Sequence, residues 1–400
     1  MTTLWVLLHV AAQRDYELHS LDFSTTFLQY SLHEEIWLRR PPGFTRTFPV
    51  GTQWSLCRPV YGLRQAPREW HDKLRSTLAA LGFAPSIADP SLFLRTDTSL
   101  PPFYVLVYVD DLVFATADTE ALTLVMFELQ KRHTCTDLGE LHSYLGLQIN
   151  RDRAWRTITL TQSHMVHQVL QRFGFQFSSP QPTPLSTSHS LSAPPSDESV
   201  EPSGPYPELV GCLMYLITCT LPDLAYPLSL LARYEAPSGH QKVHWDAGKR
   251  VLRHLCSTSG MGLVLGGRGP VVLTGHADAS WAMIALCQEH RLEHRTKHIT
   301  LRYFLAQELQ QRGQLRFAYV ATRANTADVF TKAFPPGEHQ RFATLLCGDF
   351  VIHLELALIF LTERERMNER ERERERERER TRERERTRER ENKSVKRSRV

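Results

Sequence analysis

The sequence predicts an α+β fold, and three stretches carry that expectation. The first is Phe103-Tyr-Val-Leu-Val-Tyr-Val-Asp-Asp-Leu-Val-Phe-Ala115, a β-branched and aromatic run split by two adjacent carboxylates. It reads as strand, tight turn, strand. Neither arm alternates apolar with polar, so the hairpin is expected to be buried on both faces. The second stretch, Glu17 to Leu28, reads as a short strand ending near Asp22, then a polar turn and an aromatic. The third starts near Pro67, which suits a helix N-terminus, and carries Trp70, Leu74, Leu78 and Leu81 at helical spacing before Gly82 stops it. Glu34 to Phe44 adds a further strand and turn.

Asp110 and Asp111 are the most informative residues. Two aspartates at the tip of a buried hairpin are costly unless something cationic neutralises them. A divalent metal is the natural partner, because hard carboxylate oxygens suit Mg²⁺ and nucleotide phosphates complete its shell. The plain alternative is an Asp-Asp β-turn, since Asp tolerates turn geometry; the apolar flanks argue against it. Asp22 offers a carboxylate from a separate strand.

Four motifs then recur in order: Leu21-Asp22 through Phe27-Leu28, Pro41-Pro-Gly-Phe44, Tyr61-Gly-Leu-Arg-Gln-Ala-Pro-Arg-Glu-Trp70, and Tyr108-Val-Asp-Asp111. In these the chain resembles the reverse transcriptase of copia-type retrotransposons. The resemblance implies a reverse-transcriptase palm and thumb, with RNA/DNA template-primer and deoxynucleoside triphosphates as partners. It implies that Asp22 and Asp110 hold two Mg²⁺ (or Mn²⁺) ions, with Asp111 as the third carboxylate, for in-line phosphoryl transfer. Phe27 would pack under the incoming sugar, with ordinary core packing the equal alternative. Gln65 would lie near the nucleotide. Arg64 and Arg68 would touch template or phosphate, or simply sit at a solvated helix start.

The same resemblance orders the rest of the chain. Met1 to Gln13 is similar to the helix before the first catalytic aspartate, so the fingers are expected to be missing, and a second chain supplying missing regions is a further implied partner. Thr26 stands where the family has Ala, and Tyr30 where it has Gly. Asp137 to Ile149 resembles the strand region gripping the primer end, and Thr159 to Phe173 reads as one thumb helix. Residues 1–176 would be palm and thumb, 177–207 a Ser/Pro-rich linker, and 208–265 a connection region containing a helix over His240 to Cys256. Residues 266–345 would be an incomplete ribonuclease-H-like α/β remnant, and 346–400 an apolar segment with a disordered Arg/Glu tail. In the remnant, Asp278 and Asp328 match the first and last metal carboxylates. Ala282 to His294 is too short for the strand-helix-strand set carrying the middle two, a crossover alone needing roughly a dozen residues, so ribonuclease H activity is expected to be absent. The implied function is a degenerate polymerase with weak or no activity; the alternative is a non-catalytic nucleic-acid-binding remnant.

Composition sets bounds on this. Of 48 Lys+Arg and 44 Asp+Glu, 17 and 12 lie from Glu363 onward, leaving a body of 31 against 32. A near-neutral body is weakly suited to gripping phosphates. The Arg-Glu alternation places like charges at i,i+4, so helical support is mixed. It resembles translated dinucleotide-repeat sequence, with a binding arm as the alternative. Seven cysteines without C-x-x-C spacing read as reduced thiols. Leu4 to Ala12 lacks a basic n-region, and Val351 to Leu361 is too short to span a bilayer. No membrane is expected, and a cytoplasmic or nuclear location is, with Lys393 to Arg399 as a candidate nuclear signal.

Overall fold

A computed structural model describes residues 1–30, 32, 34–39, 51–187, 191, 204–235, 241–269, 274–278, 312–313, 316 and 318–347. They fall into two compact units, residues 1–272 with 329–352 and residues 273–328 with 353–400. The expected segments Ala282 to His294, Val351 to Leu361 and the Arg/Glu tail lie outside the described residues.

The first unit mixes helices with antiparallel sheet. Helix α1 (Thr2–Arg14) leads into β1 (Glu17–Phe23). A small ribbon follows, β2 (Trp37–Arg39) paired with β3 (Gln53–Ser55). Then come α2 (Ala66–Ala80), β4 (Phe83–Pro85), β5 (Leu92–Arg95), β6 (Phe103–Tyr108), β7 (Asp111–Thr116), α3 (Thr119–Arg132) and β8 (Cys135–Glu140). The strands form a six-stranded sheet in the order β4-β5-β6-β7-β1-β8. Both arms of the β6–β7 hairpin are buried almost throughout, the reason their residues show no polar alternation.

Helices α2 and α3 cover one face of this sheet. Trp70, Leu74 and Leu78 of α2 and Leu122, Met126 and Leu129 of α3 share a core with Phe23, Phe103 and Phe114. Each such side chain contributes roughly 1.5–3 kcal/mol on burial. Pro67 sits in the first turn of α2, and Gly82 follows its end at φ +85°. Asp118 caps α3 by accepting from the Ala121 N–H at 3.0 Å, while Lys131 and Arg132 occupy the last turn.

A second sheet joins β9 (Ser143–Tyr144), β10 (Leu147–Asp152), β11 (Thr157–Thr161) and β12 (Gly262–Gly266), in the order β12-β11-β10-β9. Helix α1 touches β7 of the first sheet and β11 and β12 of the second, which explains why Leu4, Leu8, Ala11 and Ala12 are all buried. Gly266, at φ +99°, lets the chain pass so closely that an added Cβ would stand 2.2 Å from the Arg156 carbonyl oxygen.

Two sequence expectations change here. Thr159 to Phe173 is not one helix: Thr157-Ile-Thr-Leu-Thr161 forms β11, and α4 (Ser163–Arg172) starts after it. Alternating β-branched residues favour the strand, and α4 buries Val166, Val169 and Leu170 while Met165 is half-buried. The boundary expected between residues 265 and 266 falls inside β12, which pairs with β11.

The remaining helices are α5 (Tyr206–Cys219), α6 (Ala225–Leu231), α7 (Lys242–Thr258) and α8 (Pro336–Cys347), with a 3-10 turn at Pro222–Leu224. The Ser/Pro-rich stretch is packed in part: Phe177 stands exposed, whereas Thr183 and Leu185 are buried. Arg250 on α7 donates to the Thr183 hydroxyl at 2.8 Å, and the buried Tyr206 donates to the Leu231 carbonyl at 2.8 Å. In the second unit, Asn325 donates to the Ala277 carbonyl at 3.2 Å. No described helix is long and apolar enough to cross a membrane.

Candidate active site

Strand pairing brings the three expected aspartates together. Asp22 on β1 lies directly opposite Asp111 on β7, and Tyr108 opposite Asp111 closes the hairpin. The turn residues are therefore Val109 and Asp110; the expectation of both aspartates at the tip is corrected, because Asp111 opens β7. Val109 adopts φ +56°, a left-handed conformation that is strained for a β-branched residue. Two bonds hold it there. The Trp70 indole N–H donates to the Val109 carbonyl at 2.7 Å, and the Phe23 N–H donates to the Asp110 carbonyl at 2.9 Å. Trp70, read from the sequence as core alone, thus also fastens the carboxylate-bearing turn.

The electrostatics mark an uncompensated anionic site. Burial, then Asp110, then Asp22 push the Asp111 carboxyl above the usual range. Burial, Asp137 and Asp22 raise the Cys135 thiol to about 11. None of the three aspartates has an ion-pair partner among the described residues. Hard oxygen donors brought together from neighbouring strands fit a divalent cation. The trio is spread more widely than a single-ion cage: among the described residues, the three-ligand group whose donor atoms all lie within 4.8 Å is Asp223, His254 and His339. A wider arrangement suits two ions, which stand about 3.5–4 Å apart in two-metal sites.

Around this trio, Phe27 is buried and meets Tyr61 edge-on, ring centroids 4.6 Å apart. The Tyr61 hydroxyl donates to Asp110 Oδ2 at 3.3 Å, a contact that sequence reasoning missed although Tyr61 opens the third motif. Burial and then Asp110 raise its pKa. Gln65 stands at the N-cap of α2, and Arg64 is exposed just before it. Thr26 is fully buried and donates its hydroxyl to the Phe23 carbonyl at 2.9 Å. Tyr30 is extended at φ −140° and donates to the Ala66 carbonyl at 2.7 Å. Positive φ is not needed at Tyr30, so both departures from the family pattern are accommodated without strain. Beside Asp111 opens a cleft of about 410 Å³, walled by Leu138, Tyr144, Gly146, Gln148 and His164. The stretch from Asp137 to Ile149 therefore borders the carboxylates.

In the second unit, Asp328 is buried with Oδ1 3.5 Å from the Asn325 amide. Asp278 is described, but neither it nor Asp328 belongs to a three-ligand group within 4.8 Å among the described residues.

Comparison with known proteins decides the family. Residues 1–187 match the model of the reverse transcriptase (RNA-dependent DNA polymerase) family. The chain is 32% identical over 276 residues to the putative transposon Ty5-1 protein of Saccharomyces cerevisiae, covering 69% of this chain and 86% of that protein. This chain belongs to the reverse transcriptase family of copia-type retrotransposons. It is 34% identical over 287 residues to the retrovirus-related Pol polyprotein from transposon TNT 1-94 of Nicotiana tabacum, and 34% over 283 residues to that from transposon RE2 of Arabidopsis thaliana. Each alignment takes in 70% of this chain but 21% and 19% of the polyproteins, so the chain spans about a fifth of their length. Reverse transcriptases of this family use divalent metals, which the carboxylate trio suits.

Proposed function

We propose that the chain carries out RNA-directed DNA synthesis, with Asp22, Asp110 and Asp111 holding two Mg²⁺ ions at the primer 3′ end. One observation carries this reading: the β1–β7 register sets Asp22 against Asp111 with Asp110 on the adjoining turn, and no cation among the described residues pairs with them. When bound, the ions would lower the pKa of the primer hydroxyl and stabilise charge on the leaving pyrophosphate. The chain's own part is positional. Trp70 and Phe23 fix the Val109-Asp110 turn, Tyr61 orients Asp110, and Phe27 supports the Tyr61 ring where an incoming sugar would pack. The cleft by Asp111 offers room for a primer terminus, with Gln65 and Arg64 at the head of α2 toward nucleotide and template. The division 1–176, 177–207, 208–265, 266–345 and 346–400 is proposed with two boundaries moved, the one after 265 to 266 so that β12 stays whole and the one after 345 to 347 so that α8 does. Asp278 and Asp328 are proposed as relics of a ribonuclease H site without cleavage activity.

Primer extension on a primed RNA template with Mg²⁺ or Mn²⁺ tests the reading. Extension is expected from the wild type and a loss of at least about 10³-fold in Asp110→Asn/Asp111→Asn, since removing charge at a metal site removes several kcal/mol of transition-state stabilisation. Template binding by a folded wild type with no extension, unchanged in the double variant, would favour a nucleic-acid-binding remnant instead.

A further inference from the structure

A second constellation lies within the first unit and takes no part in the proposed chemistry. Asp223 sits in the Pro222–Leu224 turn, His254 on α7 and His339 on α8, with exposures of 2%, 3% and 5%. Asp223 Oδ1, His254 Nε2 and His339 Nε2 are all buried without a hydrogen-bond partner among the described residues. His254 Nε2 is 3.5 Å and His339 Nε2 3.9 Å from Asp223 Oδ2. Both imidazoles stand within ion-pair reach of Oδ2 but beyond hydrogen-bond distance, and Oδ1 is left unpartnered among the described residues. Leaving such groups unpaired in a closed interior is costly. Two ligands at about 2.0–2.1 Å from a tetrahedral ion stand about 3.4 Å apart, close to the spacing seen here.

We infer that Asp223, His254 and His339 form a structural Zn²⁺ site that staples α8 to α7 and to the Pro222–Leu224 turn. The donor set selects the ion: two imidazole nitrogens with one carboxylate suit Zn²⁺, whereas Mg²⁺ and Ca²⁺ favour all-oxygen shells. His254 Nδ1 lies 3.0 Å from the Gln181 carbonyl, a contact that fixes the tautomer with Nε2 free to ligate. The rings of His254 and His339 stand nearly perpendicular, centroids 5.2 Å apart and interplanar angle 88°, so their edges converge rather than stack. Cys347, fully buried at the end of α8, closes the wall next to Asp223. The closed setting points to a structural ion rather than one exchanging substrate.

The test is Zn²⁺ titration of the full chain after chelator treatment, read by competition with a chromophoric chelator and by thermal melting. One tight equivalent is expected, raising the Tm of the wild type. His254→Gln and His339→Gln should each weaken that equivalent by at least about 100-fold and lose the Tm rise. Asp110→Asn should retain both. Absence of a Zn²⁺ equivalent in the folded wild type, its survival in both histidine variants, or its loss in Asp110→Asn would each overturn the site. Should the histidine variants fail to fold, Co²⁺ on the wild type decides: a tetrahedral absorption spectrum supports the site and an octahedral one sinks it.

Discussion

Asp111 shows how one residue's proton affinity reports the job of its neighbourhood. Burial and the charges of Asp110 and Asp22 raise its folded pKa above the unfolded value. A carboxylate shifted that way supports the fold only below the unfolded pKa, and loses that contribution as pH rises through the folded one. At neutral pH and without metal, the ionised Asp111 works against the fold. Asp111→Asn in chelator at pH 7 is therefore expected to raise Tm by a few degrees, with no gain near about pH 3, where the wild-type side chain is protonated. Mg²⁺ should raise the wild-type Tm at pH 7 more than that of the variant. A variant melting below the wild type in chelator at pH 7 would show that Asp111 is not under like-charge stress. Residue scale is also where sequence reading did best and worst. The apolar flanks of Asp110 and Asp111 made the carboxylates conspicuous, because burial without a cation is costly. Trp70 hid its second role, since an indole N–H reaching the Val109 carbonyl looks no different in sequence from one more residue in a helical stripe.

At the scale of elements, what was legible had a local cause. Strands β6 and β7 and helix α2 each follow from a continuous apolar pattern or from a stop signal such as Gly82, whereas helix α1 was expected from the family resemblance alone. Strand β11 was lost inside a predicted helix because Thr157 to Thr161 abuts α4 with only Gln162 between them, and nothing in the stretch itself announces its partner strand, β12, about a hundred residues on. That partnership rests on Gly266. Its φ of +99° disfavours any side chain, and an added Cβ would meet both the Arg156 carbonyl oxygen at 2.2 Å and the Ala12 methyl at 2.6 Å. Because the first of these is backbone, a rotamer change cannot relieve it. Gly266→Val is expected to destabilise the protein by about 3–5 kcal/mol, lowering the urea midpoint at unchanged slope. A midpoint equal to the wild type would mean that β12 does not pair with β11 as described.

The scale of the whole molecule is where sequence spacing says least. Asp223, His254 and His339 converge from three elements far apart in the chain, so no motif could have announced them. Asp22 and Asp111 are nearly as remote, and were recovered only because each sits in a recognisable motif. Charge is legible at this scale, and it argues about the tail. From Glu363 to Glu391 Arg and Glu alternate almost strictly, 13 against 12, and four more cations follow between Lys393 and Arg399, while the body is close to neutral. Alternating signs cancel within a Debye length of about 8–10 Å, so this tail presents little sustained positive potential to a phosphate backbone. A chain ending at Thr362 is therefore expected to extend a primed RNA template within about twofold of the full chain, and to bind it with a salt dependence changed by about one charge or less. Extension or affinity falling tenfold, with a salt slope flattened by several charges, would instead make the tail a working nucleic-acid arm and shift the electrostatic grip from the cleft beside Asp111 to the C-terminus.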